Sequence, residues 1–456
     1  MRADKAFDSN RNSTSHYAKF IAPVVILIFT RSTRYKSHYY PHLNLKPMKK
    51  TTFPLSMLAL LASIVVLPFA FAACSDDETP ISSPTPTTNK AACLTDSAKR
   101  AMVYSLTDLE GNKGRIYEMT YTVDYKLDEA LQFGIDGTTK LTQFVALRLF
   151  DKLPSSKLPT LTYDAGCSAF ACPDSKSNDY LMGRNFDFNH FAPGTKDRVM
   201  IPVIAVHTAP AGGKKSVSFV DGKFVDYNQG FYTDTNSDLS LLMALPYLLL
   251  DGINEDGFAV SVLKLDGLPT KQEKAGKPTI FTTVAMRMLL DRASTVKEAI
   301  TMLEQYNMCM DKEKASYHFF MADATGDYAI VEYTNADTLQ HPNKMEALQG
   351  NDTLRCVTNF YVSPTMANTM HGINHSEHGK KRYDDLRSGL LGYNYKATPA
   401  QAKGLLQIVA QGPESSQAST GFTQWSEVYN LSKRTVSMSI LREWGKTFEF
   451  GITQKK

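Results

Sequence analysis

A chain of 456 residues, 43% hydrophobic and 21% charged, has the make-up of a globular protein with enough apolar content for a sizeable core. A formal net charge of +4 and the lack of any dense basic stripe argue against a nucleic-acid partner. Prolines and glycines spread along the whole chain exclude one long helical array, and no solenoid repeat is present.

Residues 1–47 are polar and basic, with one apolar run at 20–29 that contains Pro23 and is too short to span a bilayer. They read as an extension upstream of the native start. Met48-Lys49-Lys50, the apolar stretch 55–73 and then Cys74 have the basic, apolar and small-residue order of a secretory signal over residues 48–73. Phe71-Ala72-Ala73-Cys74 resembles a bacterial lipobox, with Phe where Leu is usual. Cys74 is then the expected acylated first residue, and a membrane is the expected partner through that anchor, on the periplasmic or cell-surface side of an outer membrane. The acidic run Ser75-Asp76-Asp77-Glu78 resembles a surface-export signal, and residues 74–90 read as a Pro/Ser/Thr-rich tether.

Beyond the tether, Leu141, Phe144, Val145 and Leu149 fall at helical spacing and predict a helix over 140–152. Residues 166–170 and 180–188 predict a hairpin across the turn-like run 173–179. Centred near Lys176, that hairpin sets Cys167 opposite Asn185, with Arg184 and Asp187 close to the thiol. Residues 199–207 and 216–225 read as strands, 239–250 is strongly apolar, and 251–257 reads as a turn before a strand at 258–265. Helices are predicted over 281–291 and 295–306, the second opening on the capping box Thr295-Val296-Lys297-Glu298. A second hairpin joins 317–322 to 328–333, and a strand over 356–361 carries Thr358-Asn359. Helices follow over 382–390 and over 399–411, the latter with Thr398 as cap and Pro399 at its first position, before a last hairpin of 428–431 and 435–441. Hairpins alternating with paired helices predict an α+β fold of stacked sheets covered by helices.

Six cysteines stand at 74, 93, 167, 172, 309 and 356, with no C-x-x-C spacing, so no structural zinc site is expected. With Cys74 and Cys167 assigned other roles, the remaining four could pair as disulfides in several ways. Amide chemistry at a cysteine needs an activated thiol, a base and donors for the developing oxyanion. The Arg184 guanidinium favours thiolate. No histidine is an obvious partner for Cys167 in sequence, His190 being the nearest choice. Cutting the Gly166–Cys167 bond would free an α-amine that titrates at about 7.7–8.0 and can take the thiol proton itself. Asp187 is then expected to hold that amine. The run 371–378 carries three histidines, but Gly372 within it and Gly379 after it make it a loop and not a ligand-bearing helix, so no metal is expected.

Cys167-Ser168-Ala169-Phe170 and Gly183-Arg184-Asn185-Phe186-Asp187 resemble the choloylglycine hydrolase, or linear amide C–N hydrolase, family of N-terminal-nucleophile hydrolases. The family's relatives include penicillin V acylases, acid ceramidases and isopenicillin-N acyltransferases. The likeness continues through Asn254-Glu255-Asp256-Gly257-Phe258, residues 318–333, Val357-Thr358-Asn359, Lys381-Arg382-Tyr383 and residues 423–430. The resemblance implies a four-layer αββα sandwich of two stacked, mainly antiparallel sheets over residues 167–456. It implies Cys167 as nucleophile and base, Arg184 and Asp187 as its supports, Asn359 as an oxyanion donor and Arg382 as a further support. Lys264 stands where bile-salt and penicillin V hydrolases carry an asparagine, which puts the second oxyanion donor on Lys264 or on the backbone N–H of Ser168. Residues 91–166 are expected as a propeptide or small subunit, released when Cys167 attacks the Gly166 carbonyl and water hydrolyses the thioester. The expected activity, needing no cofactor, is hydrolysis of the amide of an N-acylated small molecule. An acyltransferase and a non-catalytic surface-binding lipoprotein are the alternatives. A bile-acid conjugate, penicillin V, an acyl-homoserine lactone and an N-acyl amine or amino acid all fit as substrate.

Overall fold

The computed structural model describes residues 90–152, 165–192, 194–234, 236–334, 344–412 and 421–452. The expected leader, Cys74 and the tether up to residue 89 lie outside the described residues. The chain enters with α1 (Ser97–Tyr104), capped by the Asp96 carboxylate, then β1 (Thr107–Asp108), β2 (Ile116–Tyr121), α2 (Leu127–Phe133) and α3 (Thr138–Arg148). The expected helix at 140–152 is α3, which begins two residues earlier and ends at Arg148. The central hairpin is β3 (Ala165–Pro173) and β4 (Tyr180–Phe188). Next come β5 (Val203–Thr208), β6 (Ser216–Asp221), β7 (Asp251–Asn254) and β8 (Ala259–Leu265), with the apolar run folded as a 3₁₀ helix at Leu239–Tyr247.

The expected turn at 251–257 is corrected here: its first four residues are strand β7, and Gly257, at φ +82°, makes the turn itself. A buried strand bounded by Asp and Asn lacks the apolar signature from which strands are read. After β9 (Thr279–Ile280) come α4 (Thr282–Arg292) and α5 (Val296–Leu303). Thr295 caps α5 by accepting from the Glu298 N–H, while the Glu298 carboxylate reaches the Ser294 N–H and not the cap's own. Then follow β10 (Asn307–Met308), β11 (Ser316–Ala322), β12 (Tyr328–Thr334), β13 (Lys344–Gln349) and β14 (Cys356–Val357). The chain closes with α6 (Lys380–Gly392), α7 (Pro399–Val409), β15 (Thr423–Asn430), β16 (Thr435–Ile440) and β17 (Phe448–Gly451). The capping box of α7 is complete, with Thr398 and Gln401 bonding each other's backbone N–H.

Among the described residues the strands form a nine-stranded sheet in the order β1-β2-β5-β6-β7-β8-β11-β12-β13 and a six-stranded sheet in the order β14-β3-β4-β15-β16-β17. Within these two sheets neighbours are antiparallel except β2 and β5, and β9 pairs with β10 in a separate parallel two-stranded sheet. Helices α4 and α5 cover the larger sheet, α6 and α7 cover the smaller, and β3 faces β8 across the middle, which makes four layers, αββα. Alternation along β3 serves two cores at once: Cys167, Ala169 and Ala171 join the core between the sheets, and Phe170 and Cys172 join the one under α6 and α7. A strand covered on both faces tends to be apolar at nearly every position, as β3 is, whereas β4 is equally buried yet carries Arg184, Asn185 and Asp187.

The upstream segment is part of this body. Strand β2 continues the nine-stranded sheet beside β5, and Leu94, Met102, Ile116, Met119 and Tyr121 are buried in the same apolar cluster as Cys167.

Candidate active site

Cys167 pairs with Phe186, not with Asn185, whose partner is Ser168. The expected register is one residue out, and one residue exchanges the faces of a strand. Arg184 therefore lies on the face of the thiol, with its Nη2 4.0 Å from Cys167 Sγ. Asp187 lies on the opposite face, paired with Gly166.

The outer edge of β3 explains how the cysteine's backbone is held. The expected strand at 356–361 ends at Val357, so β14 pairs only with Ala169 and Phe170. Side chains take over where the ladder stops. Asn359 Oδ1 accepts the Cys167 backbone N–H at 2.8 Å, and Arg382 Nη1 donates to the Cys167 carbonyl at 2.5 Å. Arg382 Nη2 also donates to Asn359 Oδ1 at 2.7 Å, and Asn359 Nδ2 donates to the Lys264 carbonyl at 2.9 Å. The partner of the Cys167 nitrogen in the intact chain is thus Asn359, whereas Asp187 is the partner expected for the amine that cutting would free.

Asp187 is itself tightly held. Thr423 Oγ1 donates to its Oδ1 at 2.5 Å, Gln411 Nε2 donates to its Oδ2 at 2.8 Å, and Arg382 Nη1 lies 3.7 Å away. Burial pushes its carboxyl up, and Arg382, Thr423 and Gln411 work against that. The two other oxyanion candidates are placed less directly. The Cys167 and Ala171 N–H groups both point to the β14 side, toward Asn359 and the Arg355 carbonyl. By alternation the Ser168 N–H points to the β4 side, where Asn185 is its register partner. Lys264 Nζ lies 3.6 Å from Asp266 Oδ1, and it is the lysine's carbonyl that Asn359 engages.

The thiol is 1% exposed. Burial pushes the Cys167 thiol up, Arg184 pulls it down, Asp187 pushes it up again, and the net direction is up. An arginine beside a thiol is expected to give thiolate, but in the uncut chain the lost hydration outweighs it. Phe186, on the thiol's face, packs against Trp425 at 4.3 Å between ring centroids.

Behind Arg184 lies a group that sequence reading missed. Arg184 Nε is 2.6 Å from Asp251 Oδ2, and Tyr429 donates its hydroxyl to Glu427 Oε2 at 2.9 Å, all four side chains being buried. Trp425 Nε1 points at Asp251 Oδ2 from 3.4 Å. Burial works against the Arg184 charge, and Asp251, Cys167 and Glu427 outweigh it. One cation faces two carboxyls, and both carboxyls are pushed up, first by burial. Glu427 is pushed up well above the usual range, with the Asp251 charge as the second cause, and because Arg184 meets Asp251 directly while Glu427 meets the neutral Tyr429 hydroxyl, the geometry favours the negative charge on Asp251. One signal was available: Asp251 directly follows a run of leucines, whereas Glu427 stands near Gln424 and Ser426 in a stretch that does not read as buried.

The remaining candidates sit elsewhere. His190 Nε2 is 2.8 Å from Asp221 Oδ2, and His378 Nδ1 is 2.8 Å from Asp266 Oδ2. The five described cysteines, Cys93, Cys167, Cys172, Cys309 and Cys356, are free thiols.

Residues 167–393 match the linear amide C-N hydrolases, choloylglycine hydrolase family. Over 103 residues the chain is 32% identical to penicillin V acylase of Pectobacterium atrosepticum, a stretch that covers 21% of this chain and only 27% of that relative's length. Among solved structures, penicillin V acylase from Agrobacterium tumefaciens aligns at a TM-score of 0.42 and 17% identity, covering 63% of this chain and 87% of its own. A variant of conjugated bile acid hydrolase from Clostridium perfringens aligns at a TM-score of 0.43 and 14% identity, covering 64% and 94%. The family match starts on Cys167 itself and takes in Arg184, Asp187, Asn359 and Arg382; through residues 167–393 the chain belongs to the linear amide C–N hydrolases of the choloylglycine hydrolase family.

Proposed function

We propose that this chain cuts its own Gly166–Cys167 bond and then works as an N-terminal-cysteine hydrolase of a linear amide in an N-acylated small molecule. The observation that carries the reading is the convergence on one cysteine, still inside an intact chain, of Arg184 at its sulfur, Asn359 at its nitrogen and Arg382 at its carbonyl oxygen. In the first step Sγ adds to the Gly166 carbonyl carbon, and the C–N bond to Cys167 breaks. The thiol proton ends on the departing nitrogen, which leaves a thioester. Water then cleaves the thioester to a Gly166 carboxylate and a free Cys167 thiol. The new α-amine takes the thiol proton, Sγ attacks the substrate's acyl carbon, and the ammonium proton leaves with the product amine. A water deprotonated by the same amine releases the acid.

Intact mass measurement of the purified protein is expected to show two chains, the second beginning at Cys167. Migration as one uncut chain on a denaturing gel, with full amide-hydrolysing activity, would sink the reading.

The released segment is expected to stay bound. Each large apolar side chain that it keeps from water is worth about 1.5–3 kcal/mol, and Leu94, Met102, Ile116 and Met119 are all buried. A charged clasp adds to this: Arg115 Nη1 lies 2.5 Å from Glu443 Oε1, and Lys446 Nζ lies 2.7 Å from Glu110 Oε1. Arg115 on the same segment and Lys446 across the cut hold the Glu110 carboxyl down at about 2 against an ordinary 4.5, and Arg115 holds the Glu443 carboxyl across the cut down as well. A depressed carboxylate contributes stability that is present above its ordinary value and is lost as pH falls through the depressed one. Gel filtration should therefore keep the two chains together at pH 7 and begin to separate them as pH drops from about 4.5 toward 2. Glu110→Gln should flatten that dependence, and separation already at pH 7 would contradict it.

A further inference from the structure

Gly166 is not demanded by its backbone, which is not among the positive-φ positions. It is demanded by space. A Cβ at this position would lie 2.2 Å from Gln411 Nε2, 3.3 Å from Gln411 Cδ and 3.5 Å from Arg382 Nη2. The end of a glutamine normally swings aside at little cost, but this one is anchored. Its Nε2 donates to Asp187 Oδ2 at 2.8 Å, its backbone N–H donates to Thr423 Oγ1 at 2.8 Å, and its carbonyl accepts the Thr423 N–H at 3.0 Å. Gln411 is 1% exposed, and Thr423 also bonds Asp187. Gly166, Asp187 and Gln411 therefore share the helix-covered face of β3 and β4, while the thiol that must reach the Gly166 carbonyl stands on the other face.

We infer that Gln411 is the positioning residue that restricts the amino acid before the cut to glycine and sets the scissile peptide against Asp187. The inference rests on the proposed self-cleavage. A methyl group at 166 either breaks the Gln411–Asp187 bond or lifts β3 from β4, and in both cases the carbonyl carbon moves relative to Sγ. A misplacement of about 1 Å is enough to slow such a reaction on the order of 100-fold. Shortening Gln411 removes the obstacle, so the two changes should compensate, whereas two independent structural injuries would add.

The experiment follows self-cleavage of full-length protein made in a cell-free pulse, read by gel and intact mass, for wild type, Gly166→Ala, Gln411→Ala and the double variant. Gly166→Ala is expected to cut on the order of 100-fold more slowly than wild type. The double variant is expected to cut within a few-fold of Gln411→Ala alone. The same substitutions on a Cys167→Ala background, which stays uncut, give thermal midpoints that separate misfolding from misplacement. A wild type that never cuts overturns the self-cleavage reading and this inference with it. A wild type that cuts overturns the inference alone if Gly166→Ala matches it, or if the double variant is on the order of 10-fold or more slower than Gln411→Ala while still folded.

Discussion

The Cys167→Ala protein is expected to remain a single uncut chain and to hydrolyse no amide above background. Both reactions use the same sulfur, so one substitution removes both. Loss of a nucleophile that acts with its own base costs on the order of 10⁴–10⁶ in rate, because the remaining groups act only through it. Folding should survive. The change deletes one buried sulfur atom and leaves a small cavity, while the backbone N–H and carbonyl of residue 167 keep Asn359 and Arg382 as partners. Cys167→Ser sharpens the test. A hydroxyl preserves the shape but is a far weaker nucleophile, so slow cutting and residual turnover should fall together. Turnover by an uncut Cys167→Ala chain at more than about 1% of wild type would remove the cysteine from the mechanism.

Asp251→Asn and Glu427→Gln, two isosteric changes a few ångströms apart, are expected to differ sharply. If the pair holds its proton on Glu427, the glutamine replaces a neutral group by a neutral group that still accepts from Tyr429. Its cost should stay within about 1 kcal/mol. Asparagine at 251 instead removes the counter-charge 2.6 Å from a fully buried guanidinium. Breaking a buried ion pair from one side costs about 3–5 kcal/mol, a large part of the roughly 5–15 kcal/mol that holds a folded domain. Asp251→Asn should therefore show a lower urea midpoint and, because Arg184 is the cation beside the thiol, slower cutting and slower turnover. Equal losses from the two substitutions would show that the proton is not held on Glu427.

Much of the architecture was legible along the chain because its signals are local. The central hairpin, the hairpin at β11 and β12, and the caps Thr295 and Thr398 each depend on residues within a few positions of one another. Where local reading failed, the deciding contact came from far away. Strand β7 is a strand because β6 and β8 flank it, although its own Asp-Gly-Ile-Asn looks like a turn. Strand β14 stops short because Asn359 and Arg382, and not a longer ladder, satisfy the edge of Cys167.

By itself the sequence determined the residue types of the site and the order in which they occur, since a cysteine after glycine and an arginine and aspartate three positions apart on the returning strand need only the hairpin to bring them together. The tertiary structure alone decided the faces. A register differing by one residue sends Asp187 to the side of Gln411 and leaves Arg184 with the thiol, and it does so because side chains alternate along a strand. It also decided the charges, because burial raises the thiol that arginine was expected to ionise and sets two buried carboxyls against the one cation of Arg184.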